Sequence, residues 1–151
     1  MKNLPKIAMG AWAWGDTDGY FGNTMTGEDF RPIFDAAVKA GLNLWDTATA
    51  YSNGESEKIL GRLVNDAGRE KIIVSTKFTP QMAGMYGDSV VKMCEASLER
   101  MNMEYFDIYW IHTQSCWCAG IYKAAYSSAA ERQGKKRRCI QPQSGADQRG
   151  R

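Results

Sequence analysis

The sequence has no long hydrophobic run and few cysteines in its first three quarters. No stretch approaches the roughly 18 apolar residues of a membrane-spanning helix, and the start of the chain lacks the basic and apolar segments of a signal peptide. Only one of the four cysteines, Cys94, precedes residue 113, which argues against the disulfide framework of a small secreted protein. We therefore expect a cytoplasmic protein with no membrane partner.

The chain has an ordinary globular composition with an uneven distribution of charge. Its 151 residues are 44% hydrophobic and 24% charged, with a formal net charge of +2, and this length suits about one domain. Residues 1–112 contain 11 basic and 15 acidic side chains, whereas residues 113–151 contain 8 basic and 2 acidic ones. The sequence therefore divides into an acidic body and a basic tail.

The body alternates short apolar runs with amphipathic segments. The runs at 7–15, 42–46, 71–77 and 105–111 are typical of buried strands, and apolar residues recur at helical spacing in 26–40, 55–65 and 88–103. The first helix is predicted to begin at Thr26 and to end at Gly41. Its predicted buried face consists of Phe30, Ile33, Phe34, Ala37 and Val38.

The spacing of these elements indicates one architecture. Strands joined by helices of this length form right-handed β-α-β units in a parallel sheet. Four units in 112 residues average about 28 residues each, the pitch of a (β/α)8 TIM barrel, which takes about 250 residues for eight units. The predicted fold class is therefore α/β: a partial TIM barrel of roughly four β/α units at 1–112, followed by an irregular, poorly specified tail at 113–151.

Four polar residues follow the predicted strands. Asp46, Lys77 and His112, the only histidine, end the second, third and fourth strands, and Tyr51 follows Asp46 by five residues. Each has a structural explanation when it is taken alone. Asp46 could cap a turn, and Tyr51 could be a packing residue. Lys77 could be solvated, and His112 could be a structural residue with its hydrogen bonds satisfied. In β/α barrels, however, active sites lie at the carboxyl ends of the strands. Together the four can deliver a proton to a carbonyl oxygen at neutral pH.

The local sequence around these residues is specific. The segments GLNLWDTATAYSNGESEKILGRLV at 41–64, STKF at 75–78 and LERMNMEYFDIYWIH at 98–112 resemble the aldo-keto reductase family. They occur in the family's order and at its spacing. The resemblance covers residues 4–112, which are about three quarters of the chain.

The resemblance implies reduction of an aldehyde or ketone by NADPH, with no metal. Tyr51 would donate the proton to the forming alkoxide. A free phenol ionises near pH 10, and Lys77, as a neighbouring cation, would favour the phenolate. Asp46 would hold Lys77 by an ion pair and contribute to the cofactor site, and His112 would orient the carbonyl oxygen of the substrate.

Two tryptophans after the first predicted strand complete the set of candidate site residues. Trp12 and Trp14 resemble the family's apolar substrate-loop residues. A plain core cluster is an equally good interpretation of both.

The resemblance does not extend past His112. The family's later strands, which supply most of the dinucleotide site, have no counterpart in the tail. We therefore expect the chain to be impaired or inactive as an enzyme, and to self-associate through exposed sheet edges. The alternative is a non-catalytic interaction or regulatory module derived from the same barrel.

The basic tail has three interpretations. The run KKRR at 135–138 could bind nucleic acid, but a solvated, disordered end is the commoner meaning of such a run, and we expect no nucleic-acid partner. The third is out-of-frame translation of a reductase gene. When synonymous codons are chosen to encode the tail and are then read one base later, the product can contain a helix, a basic turn and a strand in the order found in the family. The nucleotide sequence tests this hypothesis.

Overall fold

The computed structural model describes residues 4–17, 19–22, 24–82 and 90–112, together with the backbone of a short strand at 138–139. The predicted tail, including most of its KKRR run, lies outside the described residues apart from that strand. Among the helices in these ranges, none is both long and apolar enough to cross a membrane.

Parallel strands in chain order form the main sheet. The strands before residue 113 are β1 (Met9–Gly10), β2 (Leu44–Asp46), β3 (Ile73–Phe78), β4 (Tyr105–Phe106) and β5 (Ile108–Ile111). β1, β2, β3 and β5 pair in that order, each parallel to its neighbour. This order confirms the predicted parallel sheet of β/α units.

Three helices connect the strands and bury the outer face of the sheet. They are α1 (Arg31–Lys39), α2 (Glu55–Ala67) and α3 (Val90–Met101). The core between helices and sheet includes Phe34, Trp45, Leu60, Val74, Leu98 and Phe106, none of them more than 1% exposed. Burial of each such side chain stabilises the fold by about 1.5–3 kcal/mol. The other face of the sheet carries the site described below.

The first helix differs from its prediction at two points. The Thr26 N–H and hydroxyl both donate to Asp29 Oδ2, at 2.7 and 2.9 Å, so this pair caps a turn rather than the helix. The helix itself begins five residues later, at Arg31. Ile33, predicted to be buried, is 47% exposed, because the buried stripe of this short helix follows the adjacent Phe34.

The fourth predicted strand, 105–111, is interrupted at Asp107. The Asp107 carboxylate accepts hydrogen bonds from the Val74 N–H at 2.9 Å and from the Arg69 guanidinium at 2.8 Å. The Asp107 N–H also donates to the Val74 carbonyl at 3.0 Å, so Asp107 stays bonded to β3 while β4 lies outside the main sheet. β4 pairs in parallel with β6 (Arg138–Cys139), so the tail is not irregular at that point.

The second and third helices approach closely at one glycine. A Cβ on Gly61 would lie 2.7 Å from both the Cα and the carbonyl oxygen of Met101, so no larger residue fits without movement of the backbone. Beside this contact, Asn65 donates from Nδ2 to the Met101 carbonyl at 3.0 Å. On its buried side α3 carries Cys94, which is disulfide-bonded. No partner for Cys94 was predicted from the sequence.

Candidate active site

The site begins in the segment that joins β2 to α2. Asp46 is the last residue of β2, and a 3₁₀ turn, Tyr51–Gly54, leads into the helix. Three successive residues of this turn have left-handed φ angles of 47°, 52° and 88°: Ser52, Asn53 and Gly54. This tight reversal leaves Tyr51 beside the carboxyl ends of the strands.

The Lys77 ammonium connects three groups at this edge of the sheet. It donates to Asp46 Oδ2 at 2.5 Å, to the Thr47 carbonyl at 2.8 Å and to the Tyr51 hydroxyl oxygen at 3.1 Å. These contacts use all three donors of an ammonium group. The Lys77 and Asp46 side chains are 13% and 27% exposed, so the ion pair is partly withdrawn from water. The ammonium can therefore stabilise negative charge that develops on the phenol oxygen as it releases a proton.

Pairing of β2 with β3 fixes the carboxylate of this ion pair. Asp46 lies opposite Ser75 in the parallel register, and the Ser75 hydroxyl donates to Asp46 Oδ1. One carboxylate oxygen thus accepts from Ser75 and the other from Lys77. The Asp46 side chain is held in one orientation by two alternate positions of β3, which share one face of the strand.

His112 lies one residue past β5, close to Tyr51. Its N–H donates to the Phe78 carbonyl at 2.9 Å, which extends the pairing between β3 and β5 by one bond. The centres of the His112 and Tyr51 rings are 5.6 Å apart, with an interplanar angle of 80°. On the other side of the imidazole, Nδ1 is 3.1 Å from Thr79 Oγ1. The structure therefore brings together all four residues that were predicted to be catalytic.

The surroundings of His112 favour its neutral form. Burial of the imidazole and the positive charge of Lys77 lower the pKa of His112, and the Asp46 carboxylate opposes them only in part. An unperturbed histidine already loses most of its charge above a pH of about 6.5. At neutral pH the ring is therefore uncharged, with one nitrogen able to donate and the other able to accept a hydrogen bond.

An open cavity of about 500 Å³ adjoins these groups on the inner face of the sheet. Its lining includes the apolar side chains of Leu44, Ile108 and Trp110. It also includes polar side chains, those of Asp46, Ser75, Lys77 and His112. Small-molecule sites of about 300–1,000 Å³ commonly combine an apolar lining with a few polar groups in this way.

The structure separates the two predicted substrate-binding tryptophans. Trp12 is 54% exposed and its ring centre is 6.0 Å from that of Tyr51. The exposed rings of Tyr20 and Phe21 pack against it, at 6.0 and 5.1 Å. Trp14 is only 6% exposed and belongs to the hydrophobic core, in agreement with the core interpretation. Trp12 therefore lies at the site and Trp14 does not.

A buried polar network lies on the other side of the sheet. Glu57, which is fully buried, accepts from Thr76 Oγ1 at 2.6 Å and from Arg100 Nε at 2.8 Å. Arg100 also donates to Ser97 Oγ at 3.2 Å and reaches Thr49 Oγ1 at 3.5 Å. The network connects α2, β3 and α3 to the segment that carries Tyr51.

Three residues of the site were not predicted from the sequence. Ser75 and Thr79 lie two positions before and after Lys77, and polar residues at a spacing of two share one face of a strand. That pattern could have identified both. Thr47 contributes its carbonyl oxygen, and no side-chain pattern predicts such a role. Within the described ranges, no group of three or more His, Cys, Asp or Glu residues could hold a metal ion.

Fold and site together define the class of protein. A parallel β/α sheet carries an ammonium, a carboxylate, a phenol and a neutral imidazole at the carboxyl ends of its strands, beside a cavity. This is an acid–base site in the position that β/α barrels use for chemistry.

Comparison with known proteins is consistent with this class and gives the family. The chain belongs to the aldo/keto reductase family, whose family model matches residues 6–134. The match extends past His112, and the predicted domain boundary at residue 112 stays a prediction. The family assignment and the partial barrel are thereby confirmed.

Curated relatives include proteins with different names. The methylglyoxal reductase YeaE of Escherichia coli (strain K12) is 33% identical over 110 residues, which are 73% of this chain and 36% of that protein. The chloroplastic pyridoxal reductase of Arabidopsis thaliana is 30% identical over 129 residues, 80% of this chain and 34% of that one. A protein of Oryza sativa subsp. japonica named "Probable voltage-gated potassium channel subunit beta" is 31% identical over 116 residues, 72% and 34% of the two chains. This chain thus spans about a third of the length of these relatives.

Solved structures share the fold. The aldo-keto reductase from Klebsiella pneumoniae in complex with NADPH is 25% identical, with a TM-score of 0.68 over 85% of this chain and 42% of that one. The family's nicotinamide cofactor is thus seen in a structural relative. The roles of Asp46, Tyr51, Lys77 and His112 in this chain stay predictions.

Proposed function

We propose that this chain carries the proton-donating part of an aldo-keto reductase site, which reduces an aldehyde or ketone with NADPH. One observation carries the proposal: Lys77 Nζ is 3.1 Å from the Tyr51 hydroxyl while it is paired with Asp46. Two relatives named reductases, of methylglyoxal and of pyridoxal, support a small carbonyl substrate.

Each residue has a role that follows from its contacts. Tyr51 donates its hydroxyl proton to the oxygen of the substrate, where negative charge develops. Lys77 stabilises the resulting phenolate, and Asp46 holds Lys77 in position. His112, as a neutral ring, donates a hydrogen bond that orients the carbonyl oxygen. Trp12 provides an exposed apolar surface beside Tyr51 for the rest of the substrate.

The cavity on the inner face fits one end of the cofactor. Its lining includes Trp110, which is 39% exposed, and Asp46. A flat, partly polar ring such as a nicotinamide suits this combination of surfaces. We assign Asp46 to this cofactor site, and NADPH, when bound, supplies the hydride. The remaining contacts to the dinucleotide require residues beyond those described.

We further propose that the isolated chain is a weak or inactive enzyme. It spans about a third of the length of the curated relatives that it matches, so most of the length of a whole family member lies outside the matched segment. The outer strands of the main sheet, β1 and β5, each pair on one side only within the described residues. Such edges favour self-association. A cytoplasmic location is part of the same proposal.

NADPH binding and turnover by the purified chain test the proposal. Binding is measured by nicotinamide fluorescence and by calorimetry, and turnover by carbonyl-dependent loss of NADPH absorbance. Tyr51→Phe should lower turnover about 10²-fold or more and leave NADPH binding unchanged, because only the proton donor is lost. Tyr105→Phe, on β4 and outside the site, is the matched control and should keep turnover within about twofold. Measurable turnover that is equal in Tyr51→Phe and the parent chain would refute the assigned proton donor.

A regulatory role is the second candidate. The relative from Oryza sativa, which is named as a channel β subunit, favours it. A stable, uniform oligomer that binds no NADPH and oxidises none would support this role over catalysis. Measurable turnover that depends on Tyr51 would exclude it as the only function.

A further inference from the structure

Thr79 contacts the histidine of the site through a single, well-defined hydrogen bond. Thr79 Oγ1 is 3.1 Å from His112 Nδ1, and Thr79 is only 6% exposed. Sequence reasoning gave Thr79 no role, and it touches neither Tyr51 nor Lys77 through any hydrogen bond described above. Its one polar side-chain contact among the described residues is with the imidazole.

The backbone holds both partners of this bond in place. The Thr79 N–H donates to Met93 Sδ at 3.4 Å, and its carbonyl accepts from the Met82 N–H at 2.9 Å. On the other side, the His112 N–H donates to the Phe78 carbonyl at 2.9 Å. The relative positions of hydroxyl and ring are thus set by the pairing of β3 with β5 and by α3.

The direction of the hydrogen bond follows from what each group can donate. If Nδ1 carried the proton and donated to Thr79, the hydroxyl proton of this buried residue would need another acceptor. Among the described residues, His112 Nδ1 is the only hydrogen-bond partner of Thr79 Oγ1. An unsatisfied buried donor costs about 1–3 kcal/mol. The hydroxyl therefore donates, and Nδ1 accepts.

We propose that Thr79 is a positioning residue that fixes His112 as the tautomer with its proton on Nε2. Because Nδ1 is occupied by Thr79, Nε2 is the nitrogen available to the cavity that His112 lines. An N–H at that position can donate to a carbonyl oxygen, whereas the other tautomer would present a lone pair and repel it. Thr79 would thus decide whether His112 acts as a donor toward the substrate.

The catalytic role inferred for Thr79 rests on the proposed function, but the tautomer of His112 can be measured independently of that function. His112 is the only histidine in the sequence, so a ¹⁵N-labelled chain gives a single imidazole pattern in long-range ¹H–¹⁵N spectra. The spectra are recorded without cofactor, at a pH above the histidine titration. We expect the Nδ1 resonance at the shift of an unprotonated nitrogen and the Nε2 resonance at that of a protonated one. A lack of carbonyl reduction would leave this result unchanged, so failure of the proposed function and failure of the tautomer assignment are distinguishable.

Substitutions at Thr79 complete the test. Thr79→Val keeps the shape but removes the hydroxyl, and we expect both nitrogen resonances to move toward the average of two exchanging tautomers. Thr79→Ser should restore the parent pattern, and Thr26→Val, in an exposed turn, should leave it unchanged. Backbone ¹H–¹⁵N spectra show which variants are folded. Protonated Nδ1 in the parent chain, or an unchanged pattern in folded Thr79→Val, would overturn the proposal. If Thr79→Val does not fold, Thr79→Ala, which also lacks the hydroxyl, replaces it in the same comparison.

Discussion

Replacement of Glu57 by glutamine removes the charge at the centre of the buried polar network. The carboxylate is fully buried, accepts from Thr76, and lies 2.7 Å from the nearest Arg100 nitrogen. Breaking a buried ion pair costs about 3–5 kcal/mol, because the remaining charge stays buried without its counterion. The Arg100 side chain is 13% exposed, and glutamine can still accept one hydrogen bond. These two facts reduce the expected loss to about 2–4 kcal/mol of unfolding free energy.

Urea unfolding followed by circular dichroism measures this loss. With a denaturant slope of about 2 kcal/mol per molar, Glu57→Gln should lower the unfolding midpoint by about 1–2 M. The control is Glu55→Gln, two residues earlier on α2, whose ion pair with Lys58 joins side chains that are 37% and 56% exposed. An exposed pair of this kind contributes about 0.2–1 kcal/mol at most.

A double variant separates loss of the pair from loss of packing. Glu57→Gln combined with Arg100→Met removes both charges of the ion pair, and it should regain at least half of the stability lost in the single variant. A Glu57→Gln loss no larger than that of Glu55→Gln would refute the reasoning. The network would then be incidental to stability.

Two further predictions concern the close helix contact and the histidine. Gly61→Ala should destabilise the chain by about 1–3 kcal/mol in the same urea assay, because its Cβ would meet the Met101 backbone, and this outweighs the better helix propensity of alanine. The control is Gly10→Ala, whose added Cβ has no atom within 4 Å and which should change stability by less than about 0.5 kcal/mol. A Gly61→Ala chain as stable as the parent would contradict the close contact. Burial and Lys77 lower the pKa of His112 in the folded chain. At pH values between the folded and the unfolded pKa of His112, the unfolded chain therefore binds more protons than the folded chain. The free energy of unfolding should thus fall as the pH drops below about 6.5. His112→Gln should lose less stability than the parent over that range in urea titrations at several pH values, and parallel curves would show that the imidazole is not perturbed.

Much of the fold was predictable because its signals are local. The stripe of Ile59, Leu60, Leu63 and Val64 predicted a helix over 55–65, and the structure has α2 at Glu55–Ala67. The interruption at Asp107 was not predictable, since it depends on contacts with residues that are 33 and 38 positions away in sequence. A strand of apolar residues carries no sign that one carboxylate will bond to a neighbouring strand.

In the site, too, some features could be predicted from the sequence and others could not. Asp46, Lys77 and His112 could be predicted to lie together, because the carboxyl ends of parallel strands share one edge of the sheet. Trp12 and Trp14 could not be told apart, because the chain leaves β1 after two residues and no periodicity then indicates which ring faces the core. The contact of Thr79 with His112 depends on side-chain positions that only the folded chain defines.

The chain-order pairing of the strands has a consequence for how the site is assembled. Asp46 and Lys77 are 31 residues apart, and Tyr51 lies between them, 26 residues before Lys77. The entropic cost of closing such a loop grows only with the logarithm of its length. No segment outside residues 46–77 is needed to bring these three side chains together. During synthesis on the ribosome, the carboxylate, the phenol and the ammonium can meet as soon as β3 has emerged. His112 joins them one β/α unit later, so the order in which the chain is made is the order in which the proposed proton donor and then the proposed carbonyl-orienting group are built.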